Sequence, residues 1–230
     1  MTDKLRGFEV VSKYINEDGT TDIQLPIRGS SESAGYDFMS AVDITIPSIW
    51  DIINEVTDGK IDYSNTILNE LDQNSYSKEE VQAMISKHFS DYISQDNITK
   101  LVKPTLVPTG IKAYMQSGEV LVMPSRSSLP LKKYLILPNG LGVIDQDYYN
   151  NEDNEGEIFC QFINFGLTPC VITKGERLTQ GIFLPFLPAD TGNTDILRTG
   201  GHGSTGGYGE DSTESTTAAT ESTPNEGVTE

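Results

Sequence analysis

From Leu101 onward the chain is cut every few residues by proline or glycine: TLVPTGIKAYM, EVLVMPSRSSLP, KYLILPNGLGVID, EGEIFCQFINFG, PCVITKGERLTQGIFLPFLP. Apolar runs this short, bounded by turn formers, predict many short strands, and so a sandwich, jelly roll or distorted barrel. Within them NGLGVIDQDYY, residues 139–149, is the sharpest local signal. Asn139-Gly140 suits a type I′ turn, whose two central residues need positive φ, between the runs Tyr134–Leu137 and Leu141–Ile144. The expectation is a β-hairpin that delivers Asp145 at its far end. On a strand, Asp145 and Asp147 would face opposite ways, so only one of them serves a given site, with Tyr148 beside it.

The first 47 residues read as the same kind of chain, with short β-like pieces VVSKYI and DIQLPIR and a strand over Val42–Ile46. Residues 48–99 differ: SIWDIINEV and SYSKEEVQAMISKHFSDYIS both read as helical. Ser77 and Glu80 form a capping-box pattern ahead of an apolar stripe of Val81, Met84, Ile85, His88, Phe89 and Tyr92. The predicted organisation is one mainly β domain, residues 1–47 with 100–209, interrupted by an inserted α-helical subdomain at 48–99. Residues 210–230 are Ser/Thr/Glu-rich with few apolar groups, and predict a disordered tail.

The 230 residues carry a net charge of −18, unevenly spread. Residues 48–99 hold ten acids against three lysines and 210–230 hold six acids and no base, which leaves only −5 elsewhere. A basic stripe for a nucleic-acid duplex is absent, so direct nucleic-acid binding is not expected. A small phosphorylated ligand held by a few arginines and a divalent cation stays open. Two cysteines, Cys160 and Cys170, make no disulfide framework and read as buried structural thiols. The N-terminus lacks an apolar leader, and no run approaches the ~18 apolar residues of a membrane span. A soluble cytoplasmic protein is expected, in a host cytoplasm if phage-encoded.

Four further stretches set small residues beside one polar anchor. AGYDFMSA places Ala34-Gly35, where backbone approaches something closely, just before Asp37. PSRSSLP puts Arg126 ahead of Ser127 and Ser128, whose turn amides suit an anion. KGERLTQG presents Arg177 and Gln180; RTGGHGSTGG presents Arg198, His202, Gly203, Ser204 and Thr205 on a chain flexible enough to wrap a ligand. The glycine run is no P-loop, because the lysine of G-x-x-x-x-G-K-[ST] is missing. Taken singly, AGYDF reads better as a turn, SRSS as a solvated loop, KGER as a hairpin turn and the glycine run as a linker.

Their order carries more. AGYD, PSRSS, GVIDQDYY, GERLTQ and RTGGHGSTG closely resemble the five motifs of the homotrimeric dUTPase family, across residues 20–206 apart from the helical insert. The resemblance implies a jelly-roll-like (β-clip or barrel) subunit, a homotrimer with sites at subunit interfaces, and Mg²⁺-dependent hydrolysis of dUTP to dUMP and pyrophosphate. It implies Asp145 as the carboxylate that activates water and meets the 3′-hydroxyl, and Tyr148 as the ring under the deoxyribose that excludes a 2′-hydroxyl. It gives Asn139 and its hairpin, with Gly142, Val143 and Ile144, to uracil. Arg126, Ser127, Ser128 and Gln180 become phosphate contacts, and Arg198, Ser204 and Thr205 belong to a mobile arm, 198–209, that closes over the phosphates. Asp37 is implied near the metal, through water.

The residue types suit that chemistry. A narrow hairpin offers amides to uracil's carbonyls and a carbonyl to N3–H, a pattern that mismatches cytosine. Water attacking the α-phosphorus must lose a proton, and a carboxylate fixed at a strand end is a suitable general base. Two departures stand out. His202 occupies the arm position where the family usually has Phe, so stacking area falls and closure becomes pH-sensitive. YNNEDNE intervenes before Gly156-Glu157, where the family runs directly on, and reads as a longer hairpin turn. The insert either packs on its own neighbours, Trp50 and Ile53 among them, or docks a protein; phage enzymes of this type bind a repressor, so a repressor is the partner implied. Two alternatives remain at this stage: a dCTP deaminase-type relative, which shares the fold and an RSS-type segment, and a nucleotide-sensing regulatory protein.

Overall fold

The computed structural model describes residues 4–56, 80 and 103–191. Among them lie twelve short strands and one α-helix: β1 (Gly7–Val10), β2 (Ile27–Arg28), β3 (Tyr36–Met39), β4 (Ile44–Ile46), α1 (Ile49–Val56), β5 (Thr105–Pro108), β6 (Ile111–Tyr114), β7 (Glu119–Met123), β8 (Leu135–Ile136), β9 (Gly142–Ile144), β10 (Phe159–Asn164), β11 (Cys170–Ile172) and β12 (Arg177–Pro185). The chain is mainly β, as its punctuation predicts, and has the jelly-roll-like character expected of it. No helix among the described residues is long and apolar enough to cross a membrane.

The strands form four antiparallel sheets ordered β1-β6, β5-β10-β8, β11-β4 and β2-β3-β12-β7-β9. The last positions several candidate site residues, because its central strand β12 pairs with β3 on one side and β7 on the other. Period-two alternation sends one side of each strand inward. On β10, Cys160, Phe162 and Asn164 are buried while their neighbours are half-exposed. The core collects Phe38, Val107, Leu121, Leu135, Phe162, Ile172 and Leu178 from all parts of the β chain. Asn164 is buried at no cost in unmet hydrogen bonds: its amide donates to the Ile46 and Thr168 carbonyls and its oxygen accepts from the Gly166 amide.

Several local expectations need correction. Ser12–Tyr14, read as part of a strand, is a 3-10 turn, and of DIQLPIR only Ile27–Arg28 is strand. Leu129–Lys133 is a short π-helical turn ending at Tyr134 with φ 55°, where the sequence suggested only a loop. The runs flanking Asn139-Gly140 do not pair with each other: β8 pairs with β10 and β9 with β7. Nor is the turn type I′, since Asn139 is not among the positive-φ residues. The Gly140 amide donates to Leu137 O at 3.0 Å, a turn with Pro138 at its first central position. Gly140 at φ 67° then makes a γ-turn, Leu141 N to Asn139 O at 2.7 Å. Proline fixes the first central φ negative, and that overrides the Asn-Gly preference.

The predicted helix at the start of 48–99 exists as α1. It is tied to the β domain: Ser48 is fully buried and donates to Gly166 O, Asp51 accepts from the Ser48 amide at 2.9 Å, and Ile53 is buried. The capping box and apolar stripe of the second predicted helix lie outside the described residues except Glu80, which is helical. So does the tail 210–230. Cys160 is buried and hydrogen-bonded to Thr179 Oγ1, and burial pushes its thiol up to about 12. Cys170 is only half-buried.

Candidate functional site

Three of the five sequence motifs meet at one corner of the five-stranded sheet. Asp37 on β3 lies opposite Gln180 on β12, and Ser125, just past β7, bridges Thr179. Arg126 therefore emerges beside Asp37, and Arg126 Nε meets Asp37 Oδ1 at 3.1 Å. Arg177, at the start of β12, places Nη1 3.3 Å from the other oxygen, Asp37 Oδ2. One carboxylate, with 13% of its side chain exposed, thus holds two guanidinium groups. The approach foreseen at Gly35 is to Gln180: a Cβ there would lie 2.6 Å from Gln180 Oε1 and 3.0 Å from its Cβ. Any side chain at residue 35 would displace Gln180.

Beside this corner is a cleft of about 230 Å³ lined by Arg126, Ser128, Lys132, Lys133, Arg177 and Glu176, among others. Four cations face one carboxylate, which is itself paired with Lys133, so in an acidic chain this is a place suited to an anion. Ser127 is exposed and Ser128 half-buried; both precede the π-helical turn, and Leu129 N donates to Arg126 O at 3.1 Å. The donor set does not make a metal cage. No three His, Cys, Asp or Glu side chains converge among the described residues, and Asp37 already faces two arginines.

Asp145 is elsewhere. It follows Ile144, the partner of Leu121, and so sits level with Val120 at the opposite end of the β7–β9 ladder. Arg126 is six residues further along β7 and its extension, or about 20 Å at the strand rise. Asp145 is exposed and opens a 3-10 turn, Gln146–Tyr148, so Asp147 lies in a turn and the strand-face argument for the two aspartates does not apply. Of the residues assigned to uracil, Asn139 is exposed in its turn, while Gly142, Val143 and Ile144 line β9 with Val143 the most open.

Tyr148 is only 6% exposed. Its hydroxyl donates to Glu157 O at 2.8 Å and accepts from Asn154 Nδ2 at 2.9 Å. The neighbouring Tyr149 hydroxyl donates to Glu9 on β1 at 2.6 Å; burial and that carboxylate push its phenol up to about 12. Residues 150–156, expected as a plain hairpin extension, are an ordered hydrogen-bonded loop. Lys112, Lys132, Lys133, Asn151 and Asn154 were not singled out by sequence reasoning. Lys132 and Lys133 carried a usable signal, adjacent cations in an acidic chain; Lys112 carried none, and the asparagines none beyond turn propensity. Arg198, His202, Gly203, Ser204 and Thr205 lie outside the described residues.

Comparison with known proteins identifies a family. The dUTPase family model matches residues 91–207. A deoxyuridine 5'-triphosphate nucleotidohydrolase of Lactococcus lactis is 40% identical over 205 residues, 88% of this chain and 99% of that protein. One from Desulfitobacterium hafniense is 39% identical over 106 residues, 44% of this chain and 66% of its own length. The crystal structure of the Streptococcus mutans dUTPase superposes with a TM-score of 0.53 at 34% identity, covering 80% of this chain and 99% of that one. With a family model over half the chain and a relative matched along nearly its whole length, the chain belongs to the dUTPase family.

Proposed function

We propose that the chain hydrolyses dUTP to dUMP and pyrophosphate at sites assembled between subunits of a homotrimer. The observation that carries this reading is the separation of Asp145 from Arg126. A base and a phosphate clamp about 20 Å apart on one ladder cannot serve one phosphorus, whereas copies related by a closed symmetry bring the two ends together. Exposed apolar residues on several strands, Leu106, Ile136, Val143 and Val171, supply surface for such an assembly.

In this reading Asp145 removes a proton from the water that attacks the α-phosphorus, the bond to the bridging oxygen breaks, and pyrophosphate leaves with the charge. Arg126, the Ser127 and Ser128 segment and Gln180 from another subunit receive that charge, joined by Arg198, Ser204 and Thr205. The Asn139–Ile144 backbone reads uracil, with His202 and Gly203 closing over it, and Tyr148 packs under the sugar. Mg²⁺ would enter with the triphosphate and supply charge neutralisation there. Asp37 orients Arg126, and since a carboxylate oxygen accepts more than one hydrogen bond, it retains capacity for a water on that ion.

Pyrophosphate release from dUTP, dCTP, dTTP and UTP tests the reading, with ammonia release from dCTP as the deaminase control. Release from dUTP alone, reduced about 10²-fold or more in Asp145→Asn, supports it; equal cleavage by that variant contradicts it.

A second role rests on the charge of residues 48–99, ten acids to three lysines. A surface of that sign suits a protein with a basic face, a repressor in the reading taken from phage enzymes. Because α1 is anchored in the β domain, the test removes 57–99. Hydrolysis retained with repressor binding lost supports docking; binding retained refutes it.

A further inference from the structure

The loop 150–157 is where this chain departs from the family pattern, and its bonds converge on Tyr148. Asn151 is 7% exposed and donates through Nδ2 to Tyr148 O at 2.8 Å. Its Oδ1 accepts from the Asp153 and Asn154 amides. Asn154 accepts from Gly156 N at 3.0 Å and donates to the Tyr148 hydroxyl at 2.9 Å. Gly156, at φ 81°, lets the loop close on the turn, for a Cβ there would lie 2.5 Å from Tyr148 O. The far side is nailed down: Glu155 accepts from Ser12 N at 2.9 Å and from Lys112 Nζ at 2.9 Å, and Lys112 also donates to Asn150 at 2.6 Å. Glu157, fully buried, meets Lys13 at 2.6 Å and accepts from Gly110 N.

Tyr148 is thus gripped at both ends, its carbonyl by Asn151 and its phenol by Asn154 and Glu157 O. Tyr148 N in turn donates to Asp145 O at 3.2 Å, closing the turn that carries Asp145. We propose that Asn154 is a positioning residue for sugar selection: through the Tyr148 hydroxyl it holds the ring at the height that leaves no room for a 2′-hydroxyl. A ring released from one of its two phenol bonds tilts, and a ribonucleotide then fits. The proposal rests on the dUTP hydrolase reading and on Tyr148 lying under the sugar.

The test is a double-mutant cycle of Asn154→Ala with Tyr148→Phe, reading the ratio of kcat/KM for dUTP to that for UTP. Loss of one hydrogen bond's worth of ring placement predicts a fall in that ratio of about fivefold in Asn154→Ala, mostly through better use of UTP. In the Tyr148→Phe background the same substitution should leave the ratio unchanged, since its partner atom is gone. A merely structural asparagine would lower turnover of both nucleotides together. If Asn154→Ala does not fold, Asn154→Asp, which keeps the acceptor for Gly156 N, enters the cycle instead. An unchanged ratio, or a fall that persists in Tyr148→Phe, overturns the proposal. A parent enzyme that fails to cleave dUTP would instead sink the underlying reading, so the two failures are distinguishable.

Discussion

Asp145 and Arg126 stand at opposite ends of one antiparallel ladder, the first level with Val120 and the second just beyond the Ser125–Thr179 bridge. The unbroken register between them matters more for function than either residue's surroundings. On the reading proposed above, it separates, within one chain, the base and the phosphate clamp that would act on one phosphate. The sheet would then be a spacer that makes each chain dependent on its neighbours.

The Asp37–Arg126 pair at 3.1 Å is energetically coupled, because each side chain is largely sheltered and each loses its partner if the other is removed. Asp37→Ala and Arg126→Ala should each lower kcat/KM for dUTP about tenfold or more, and the double variant should be little worse than the weaker single one. Steady-state kinetics on the four proteins checks this. Fully additive losses would mean that Asp37 acts independently of Arg126.

The loop's tether to the N-terminal segment is pH-dependent. Hydrogen bonds from Ser12, then from Lys112, hold the Glu155 carboxyl below its usual value of 4.5. A depressed folded-state value stabilises the protein above the unfolded value and is lost as pH falls through the folded one. Glu155→Gln should therefore melt below the parent at neutral pH, with the difference closing under acid conditions. Thermal melts across that range decide it; a gap that widens in acid contradicts the assignment.

The two thiols differ in reach. Cys160 is 3% exposed and held protonated up to about 12 by burial, whereas Cys170 is partly open. A thiol reagent at neutral pH should label Cys170 in the native protein and Cys160 only after unfolding. Peptide mapping of the labelled protein reads this directly, and rapid native labelling of Cys160 would be the contrary result.

Local order was legible where local chemistry dominates. Proline and glycine spacing marks the strands, and five motifs in sequence mark the family. Pairing was not, because it is decided by distant partners. The Asn139-Gly140 turn looked like the tip of a hairpin, yet Pro138 fixes a different turn and β8 and β9 join separate sheets. Asp37 and Arg126 are 89 residues apart, and no periodicity announces that β12 lies between their strands. Gly35 declared a close approach without naming Gln180. The loop 150–156 reads as solvated acids and asparagines, while its meaning lies in Tyr148, Lys112 and Ser12.

Subunit mixing examines the shared site most directly. Asp145→Asn and Arg126→Ala proteins, each reduced about tenfold or more alone, are co-refolded in equal amounts. If one subunit supplies the base and another the phosphate clamp, random assortment in a trimer rebuilds about one intact site in four, and dUTP hydrolysis returns to about a quarter of the parent rate. If no activity returns although mixed oligomers have formed, both groups act within a single chain and the composite site is wrong.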